Sequence, residues 1–154
     1  MQLDHGGLEI LGIEECRSLL AATQLGRIVF TDRALPAIQP VNYVVADGDV
    51  VIRTSPTSRL ANAARDTIVA FEIDDFDAAF RTGWSVVVIG KARGVTDPAE
   101  LTALRALPLD PWAPGAREHY IRIRPQLISG RRTPRHETVP PTGDGGRPDP
   151  GERA

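Results

Sequence analysis

Apolar residues along the chain recur either in alternation or in short continuous runs, and turn-forming residues separate these runs. Such runs are typical of β-strands. The dipeptide Asp47-Gly48 lies between two of them and favours the positive φ angles of a two-residue turn between antiparallel strands. Three further segments have helical periodicity. The pattern predicts strands at 26–31, 37–46, 49–54, 67–73, 83–95 and 120–128, and helices at 12–22, 58–65 and 97–107.

Three segments carry more specific information about the predicted sheet. The run from Val86 to Ile89 is apolar on both faces of its strand, which predicts burial on both sides. Pro125 interrupts the last strand and has no N–H to donate, so we expect it at a sheet edge or a bulge. The residues 74–77, which include three aspartates, are predicted to form a solvated acidic loop.

Six mostly antiparallel strands with short helical connections predict a mainly β protein that closes into a small barrel. Such a barrel has little interior room, so a large ligand would bind outside it or between two barrels. We assign residues 1–132 to this domain. Residues 133–154 contain five prolines and four glycines, and Val139 is their only large apolar residue. This segment cannot bury enough surface to offset its ordering entropy, so we predict a disordered tail or an arm on a partner subunit.

Charge and composition argue against several classes of function. The 154 residues have a net charge of −2, without the basic excess typical of a nucleic-acid surface. The longest apolar runs are far shorter than the ~20 residues that span a bilayer. The first ten residues lack the features of a signal peptide, so we expect a cytoplasmic protein. The three histidines are far apart and Cys16 is the only cysteine, so no metal site is expected.

The most suggestive chemistry lies where the third strand meets the next helix. Arg53 and Arg59 flank four hydroxyl side chains there. Free N–H groups at a helix start, guanidinium groups and hydroxyls together bind phosphate well. Ser55 suits the N-cap and Pro56 suits the first helical position. The segment therefore predicts a phosphate socket, with solvated helix-start charges as the alternative. The hydroxyls belong to Thr54, Ser55, Thr57 and Ser58.

Three sequence blocks, taken in order, resemble a known family. They are Gln39-Pro40-Val41-Asn42-Tyr43, then Arg53-Thr54 with Ser58-Arg59, and then the strand from Thr82 to Ala92. In this order they resemble the flavin-binding split barrels related to pyridoxamine 5′-phosphate oxidase, especially a small actinobacterial branch that includes nitroimidazole-resistance-type proteins. The resemblance extends from about Leu8 to Arg132.

The resemblance implies a six-stranded antiparallel split barrel that binds FMN at the twofold interface of a homodimer. It places the phosphate on the side chains at positions 53, 54, 58 and 59, the polar edge of the ring near backbone groups of Val41 and Asn42, and the ring beside Trp84 and Ser85. Other interpretations of single residues remain: Asn42 would also suit a bulge, and Trp84 would also suit a core or interface. The implied cofactor-binding residues are Gln39, Pro40, Val41, Asn42, Arg53, Thr54, Ser58, Arg59, Trp84 and Ser85.

Three functions are compatible with this resemblance. The first is an FMN-dependent oxidoreductase that acts on a small molecule. The second is a reductase that uses a deazaflavin coenzyme, whose polyanionic tail would need a basic groove; Arg122, Arg124, Arg131 and Arg132 are the candidates for its lining. The third is a non-catalytic flavin carrier or sensor. The C-terminal substrate signature of the oxidases is absent, which argues against oxidation of pyridoxamine phosphate. No side chain is predicted to be a catalytic acid or base.

Overall fold

The computed structural model describes residues 1–134, which contain seven strands and three helices. The predicted tail, residues 133–154, lies outside the described residues except for Thr133 and Pro134, so its disorder stays a prediction. The strands are β1 (Glu9–Ile10), β2 (Leu25–Asp32), β3 (Leu35–Ala46), β4 (Asp49–Thr54), β5 (Thr67–Asp77), β6 (Thr82–Gly94) and β7 (His119–Arg132), and the helices are α1 (Ile13–Ala22), α2 (Arg59–Ala63) and α3 (Pro98–Arg105).

Strand β7 closes the sheet into a barrel. Its first residues, from His119 to Ile123, pair with β4, and the stretch from Ile121 to Arg132 pairs with β6. The remaining neighbours are β4 with β3, β3 with β2, β2 with β5 and β5 with β6, and every pairing is antiparallel. The predicted six-stranded antiparallel barrel is therefore confirmed. Strand β1 is an addition that pairs with the end of β7, and its two residues are too few to form a recognisable pattern.

Two local predictions about β-structure have different outcomes. The predicted acidic loop at 74–77 is wrong, because β5 continues to Asp77 and pairs with β6 as far as Thr82. Backbone hydrogen bonds form this ladder regardless of side-chain polarity, and the aspartates remain exposed on it. The predicted bulge is confirmed, since the register between β6 and β7 shifts at Ile89/Gly90, where Gly90 lies opposite Pro125.

Side chains fill the inside of the barrel. Alternate residues of every long strand point inward, and the side chains of Ile28, Phe71, Val88 and Ile121 are completely buried there. Helix α1 covers one end of the barrel, where the hydroxyl of Tyr43 donates a 2.7 Å hydrogen bond to a carbonyl of that helix. A barrel filled in this way leaves ligand binding to its outer face. No helix within residues 1–134 is long and apolar enough to cross a membrane.

An apolar row crosses the outer face of the barrel. Ile38 and Leu127 lie at its two ends and are each 65% exposed, and Ile89 is 37% exposed. The predicted burial of residues 86–89 on both faces is thus wrong for the single chain, because only Val86 and Val88 point into the core. We call this feature the outer apolar row; in order across β3, β2, β5, β6 and β7 it contains Ile38, Val29, Ala70, Ile89 and Leu127.

The bulge opposite Pro125 predicts a strict requirement for glycine at position 90. A Cβ there would overlap the backbone carbonyl of Arg124, which belongs to a ladder and cannot move freely. We expect Gly90→Ala to lower the free energy of unfolding by about 3 kcal/mol, as overpacking does, in urea denaturation. The matched control is Gly12→Ala, where a Cβ meets nothing within 4 Å. Equal stability of the two variants would contradict this account of the bulge.

Candidate functional site

The junction between β4 and α2 differs in one respect from the predicted socket. Helix α2 begins at Arg59 with Ser58 as its N-cap, whose Oγ accepts a 2.9 Å hydrogen bond from the N–H of Ala61. The prediction of Ser55 as N-cap and Pro56 as first helical residue is therefore wrong. Residues 55–58 form a turn, in which the N–H of Ser58 donates to the carbonyl of Ser55 at 3.1 Å. Two serines satisfied the same capping rule, and the chain reversal after β4 selects the second.

The structure brings three of the predicted phosphate ligands together. The hydroxyls of Thr54 and Ser58 lie 2.9 Å apart, and Thr54 is only 1% exposed. Arg59 follows directly, with its side chain 80% exposed and its Nε 2.8 Å from a carboxylate oxygen of Asp32. The group thus combines two anchored hydroxyls with an accessible guanidinium. We call Thr54, Ser58 and Arg59 the hydroxyl–arginine cluster.

The fourth predicted phosphate ligand, Arg53, points elsewhere. Neighbouring strand residues face opposite sides of a sheet, and Thr54 belongs to the inner face. Arg53 donates from Nε to the carbonyl of Arg117 and from Nη1 to the carbonyl of Leu109, both at 3.0 Å. Its guanidinium carbon also lies 5.3 Å from the ring centroid of Tyr120. Arg53 therefore fastens the segment between α3 and β7 to the outside of the barrel.

The predicted ring-contacting segment of β3 lies beside Arg53. Gln39, Pro40, Val41 and Asn42 line a cavity of about 70 Å³ together with Arg53 and parts of the segment before β7. Asn42 is held in place because its Oδ1 accepts a 2.9 Å hydrogen bond from the N–H of Trp112. Five predicted cofactor-binding residues are thus close together in space, although not with the hydroxyl–arginine cluster.

The remaining two predicted residues, Trp84 and Ser85, lie on β6. Trp84 and Pro40 line one cleft of about 340 Å³, which joins residues of β3 to residues of β6. Trp84 also lines a larger cleft of about 740 Å³ at the β5–β6 hairpin. Ser85 lies opposite Asp74 on β5 and Arg131 on β7. Pro40 therefore links the Trp84 cleft to the cavity beside Arg53, and the hydroxyl–arginine cluster lines neither of them.

An ionic cluster beside these clefts was not predicted from the sequence. Nη1 of Arg27 lies 3.3 Å from both carboxylate oxygens of Asp74 and 3.5 Å from an oxygen of Glu72. Burial and the neighbouring Asp74 carboxylate raise the pKa of Glu72. Arg27 and Asp74 line the same cleft as Trp84. The three residues belong to β2 and β5, and only the register between these strands brings them together.

Most of the arginines considered for a basic groove are paired with acids. Arg122 is 2.7 Å from Asp49 and 3.2 Å from Glu100, and its side chain is only 13% exposed. Arg131 lies 2.9 Å from Asp4, and Arg132 pairs with Glu15. These contacts hold α3 and the N-terminal segment to the barrel, and they neutralise three of the four charges proposed for the groove.

Comparison with known proteins gives the family. The model of the family described as pyridoxamine 5′-phosphate oxidase matches residues 13–132. The chain belongs to this family. An uncharacterized protein of Mycobacterium tuberculosis is 44% identical over 124 residues, which cover 77% of this chain and 81% of that protein.

Solved structures agree with this family and with the fold. The structure of an FAD-binding protein from Mycobacterium smegmatis is 41% identical, with a TM-score of 0.68, over 80% of this chain and 96% of that one. A conserved protein of unknown function from Corynebacterium diphtheriae is 32% identical, with a TM-score of 0.68, over 80% of this chain and 96% of that one. The split-barrel architecture expected from the three sequence blocks is therefore shown.

The start of β7 predicts a pH dependence of stability. His119 lies opposite Thr54, and its Nε2 is buried without a hydrogen-bond partner among the described residues. Burial lowers the pKa of His119, and the charge of Arg65 lowers it further. Between this lowered pKa and the ordinary value of about 6.5, the unfolded chain binds more protons than the folded one. Stability should therefore fall as the pH decreases below about 6.5.

The measurement is urea denaturation of the protein and of His119→Gln at pH 7.5 and pH 5.5. Because carboxylates also titrate as the pH decreases, the informative quantity is the difference between the two proteins, and the variant should lose less stability on acidification. His5→Gln, at an exposed position, is the control. The same acid sensitivity in all three proteins would show that His119 is not the responsible group.

Proposed function

We propose that this protein is a flavin-dependent oxidoreductase that acts on a small molecule as a homodimer. The hydroxyl–arginine cluster is the observation that supports this function most directly, because it combines hydroxyls and a guanidinium at the end of a strand where the family resemblance expects a flavin phosphate. The 41% identical relative from M. smegmatis, which is an FAD-binding protein, gives independent support.

The cluster suits a phosphate because its arginine is available at little cost. The ion pair of Arg59 with Asp32 is largely solvent-exposed on the arginine side and contributes little stability. Arg59 is thus free to exchange its carboxylate partner for a phosphate oxygen. Thr54 is almost completely buried, and its hydroxyl together with the N–H of Ala61 holds the hydroxyl of the half-buried Ser58 in place beside Arg59.

The flavin nucleotide is either FMN or FAD. The three sequence blocks predict FMN, whereas the relative from M. smegmatis binds FAD. FAD contains the whole of FMN, so the same cluster serves either molecule. The flavin would supply the electron or hydride transfer when bound, and this chain would hold its phosphate and shield its ring. Mass spectrometry of the small molecule that co-purifies with the protein identifies the nucleotide, and steady turnover with a reductant and an acceptor distinguishes an oxidoreductase from a carrier.

The outer apolar row supports the homodimer. Ile38, Ile89 and Leu127 are exposed in the single chain and Val29 and Ala70 between them are half-buried, and exposed apolar residues grouped in this way mark association surfaces. A twofold dimer would bury the row against its own copy. It would also bring a second subunit to the clefts at Trp84, which a single small barrel cannot close over a flat ring.

Removing Arg59 tests flavin binding. We expect Arg59→Ala to weaken the binding of FMN or FAD by about ten- to a hundredfold, which corresponds to the loss of a charged hydrogen bond of about 1.5–3 kcal/mol. Fluorescence titration of the apoprotein measures the affinity, and the melting temperature should change little. Arg105→Ala removes an exposed arginine from the end of α3 and serves as the control. Unchanged flavin affinity in Arg59→Ala would show that Arg59 is a solvated charge that does not bind the flavin phosphate.

Placing a charge in the outer apolar row tests the dimer. We expect Ile38→Asp to shift the protein from dimer to monomer at micromolar concentration, because the buried interface would contain an unpaired carboxylate. Sedimentation velocity measures the distribution. Ile13→Asp introduces the same charge at an exposed apolar position on α1 and should leave the dimer intact. A monomeric wild-type protein, or a dimer that tolerates Ile38→Asp, would exclude this interface.

A further inference from the structure

The cavity between β3 and the segment that precedes β7 is lined by equal numbers of apolar residues and of polar or charged residues. Its volume of about 70 Å³ is several times the ~10–15 Å³ that one water molecule needs. Four of its lining side chains carry N–H donors, and two of them are cationic. These four are Gln39, Asn42, Arg53 and Arg117.

Two buried donors in this lining have no partner within residues 1–134. They are Nδ2 of Asn42 and Nε of Arg117. Leaving a buried donor unsatisfied destabilises the fold, and more so when the donor is charged. Both atoms belong to residues that line the same small cavity, where a ligand with acceptor atoms would supply the missing hydrogen bonds.

The third donor is held rigidly at the same place. Arg53 has its Nε and Nη1 committed to the carbonyls of Arg117 and Leu109, and Tyr120 lies under its guanidinium group. Its Nη2 has no hydrogen bond to the described part of the chain. The Oδ1 of Asn42 is likewise committed to Trp112, which fixes the direction of its free amide N–H groups. These contacts preorganise the donors before any ligand binds.

The charge of the cavity selects the class of ligand. Its lining residues include two with guanidinium groups and two with amides, and none with a carboxylate. A forked cationic donor set of this kind matches an oxyanion. The cavity is separate from the hydroxyl–arginine cluster, because Arg53 and Thr54 lie on opposite faces of β4.

We propose that this cavity is a second anion site, which binds one oxyanion group through Asn42, Arg53 and Arg117. Arg117 was absent from the residues expected from the sequence, and Arg53 acts here instead of on the phosphate at the hydroxyl–arginine cluster. The oxyanion comes either from a free phosphate or phosphorylated small molecule, or from the phosphates of a bound flavin nucleotide. The site does not rest on the proposed function, since it can bind inorganic phosphate without any flavin.

The first test titrates inorganic phosphate into the full-length apoprotein by calorimetry. Arg117→Met and Asn42→Asp should each weaken phosphate binding at least tenfold, because the first removes a cation and the second replaces an amide donor by a carboxylate while keeping an oxygen for the N–H of Trp112. Arg117→Lys, which keeps the charge, should retain most of the affinity. Arg105→Met removes an equal charge outside the cavity and should have no effect.

The second test distinguishes the source of the oxyanion. Riboflavin, FMN and FAD are titrated into the protein and into Arg117→Met, with near-ultraviolet circular dichroism to verify the fold of the variant. A loss of at least tenfold for FMN or FAD, with riboflavin unchanged, assigns the oxyanion to the nucleotide. An effect on phosphate alone assigns it to a free or substrate phosphate.

Two outcomes overturn the proposal. One is that neither phosphate nor the nucleotides respond to Arg117→Met and Asn42→Asp, in which case water alone fills the cavity. The other is an equal loss for riboflavin, which has no phosphate and would report a general distortion of β3. If no flavin binds at all, the proposed function fails, and the phosphate titration still decides the fate of this site.

Discussion

The closure of the sheet by β7 is the constraint on which the rest of the structure depends. One strand pairs with β4 through its first residues and with β6 through the rest, and the bulge at Gly90 and Pro125 gives it the bend that this double role requires. The closed barrel is narrow enough for side chains to fill it completely. Every surface with possible chemistry is consequently on the outer face or at a strand end, where the connecting segments contribute to it.

The same closure explains why the outer face carries both apolar and ionic rows. Strand register places Ile38, Val29, Ala70, Ile89 and Leu127 side by side across five strands. Two residues further along these strands, on the same face, the register places Pro40, Arg27 and Glu72 side by side. An apolar strip next to charged residues favours association in one orientation, since the apolar area supplies most of the free energy and the charges restrict the register of the partner.

Much of this architecture could be predicted from the sequence, because hydrophobic alternation and turn residues are local signals. Residues only a few positions apart determine the six barrel strands, the Asp47-Gly48 turn and the Asp97 cap of α3. Two errors arose where pairing with a neighbouring strand or cover of the sheet decides the outcome, and a third arose because Ser55 and Ser58 satisfy the same local capping rule. The acidic end of β5 is a strand because β6 lies beside it, and the exposure of Ile89 depends on what covers the sheet.

The candidate site shows the same division between local and long-range information. Sequence proximity suggested that Arg53, Thr54, Ser58 and Arg59 act on one phosphate, yet alternation along β4 sends Arg53 to the opposite face from Thr54. The residues beside Arg53 come partly from β3 and partly from the segment before β7, which lies about sixty positions later in the chain. Hydrogen bonds to the carbonyls of Leu109 and Arg117 in that segment fix the Arg53 side chain. Two candidate groups of anion-binding side chains therefore arise from one short segment of sequence. A strand that enters a helix start can serve two ligands or two parts of one ligand, because its successive side chains belong to different surfaces.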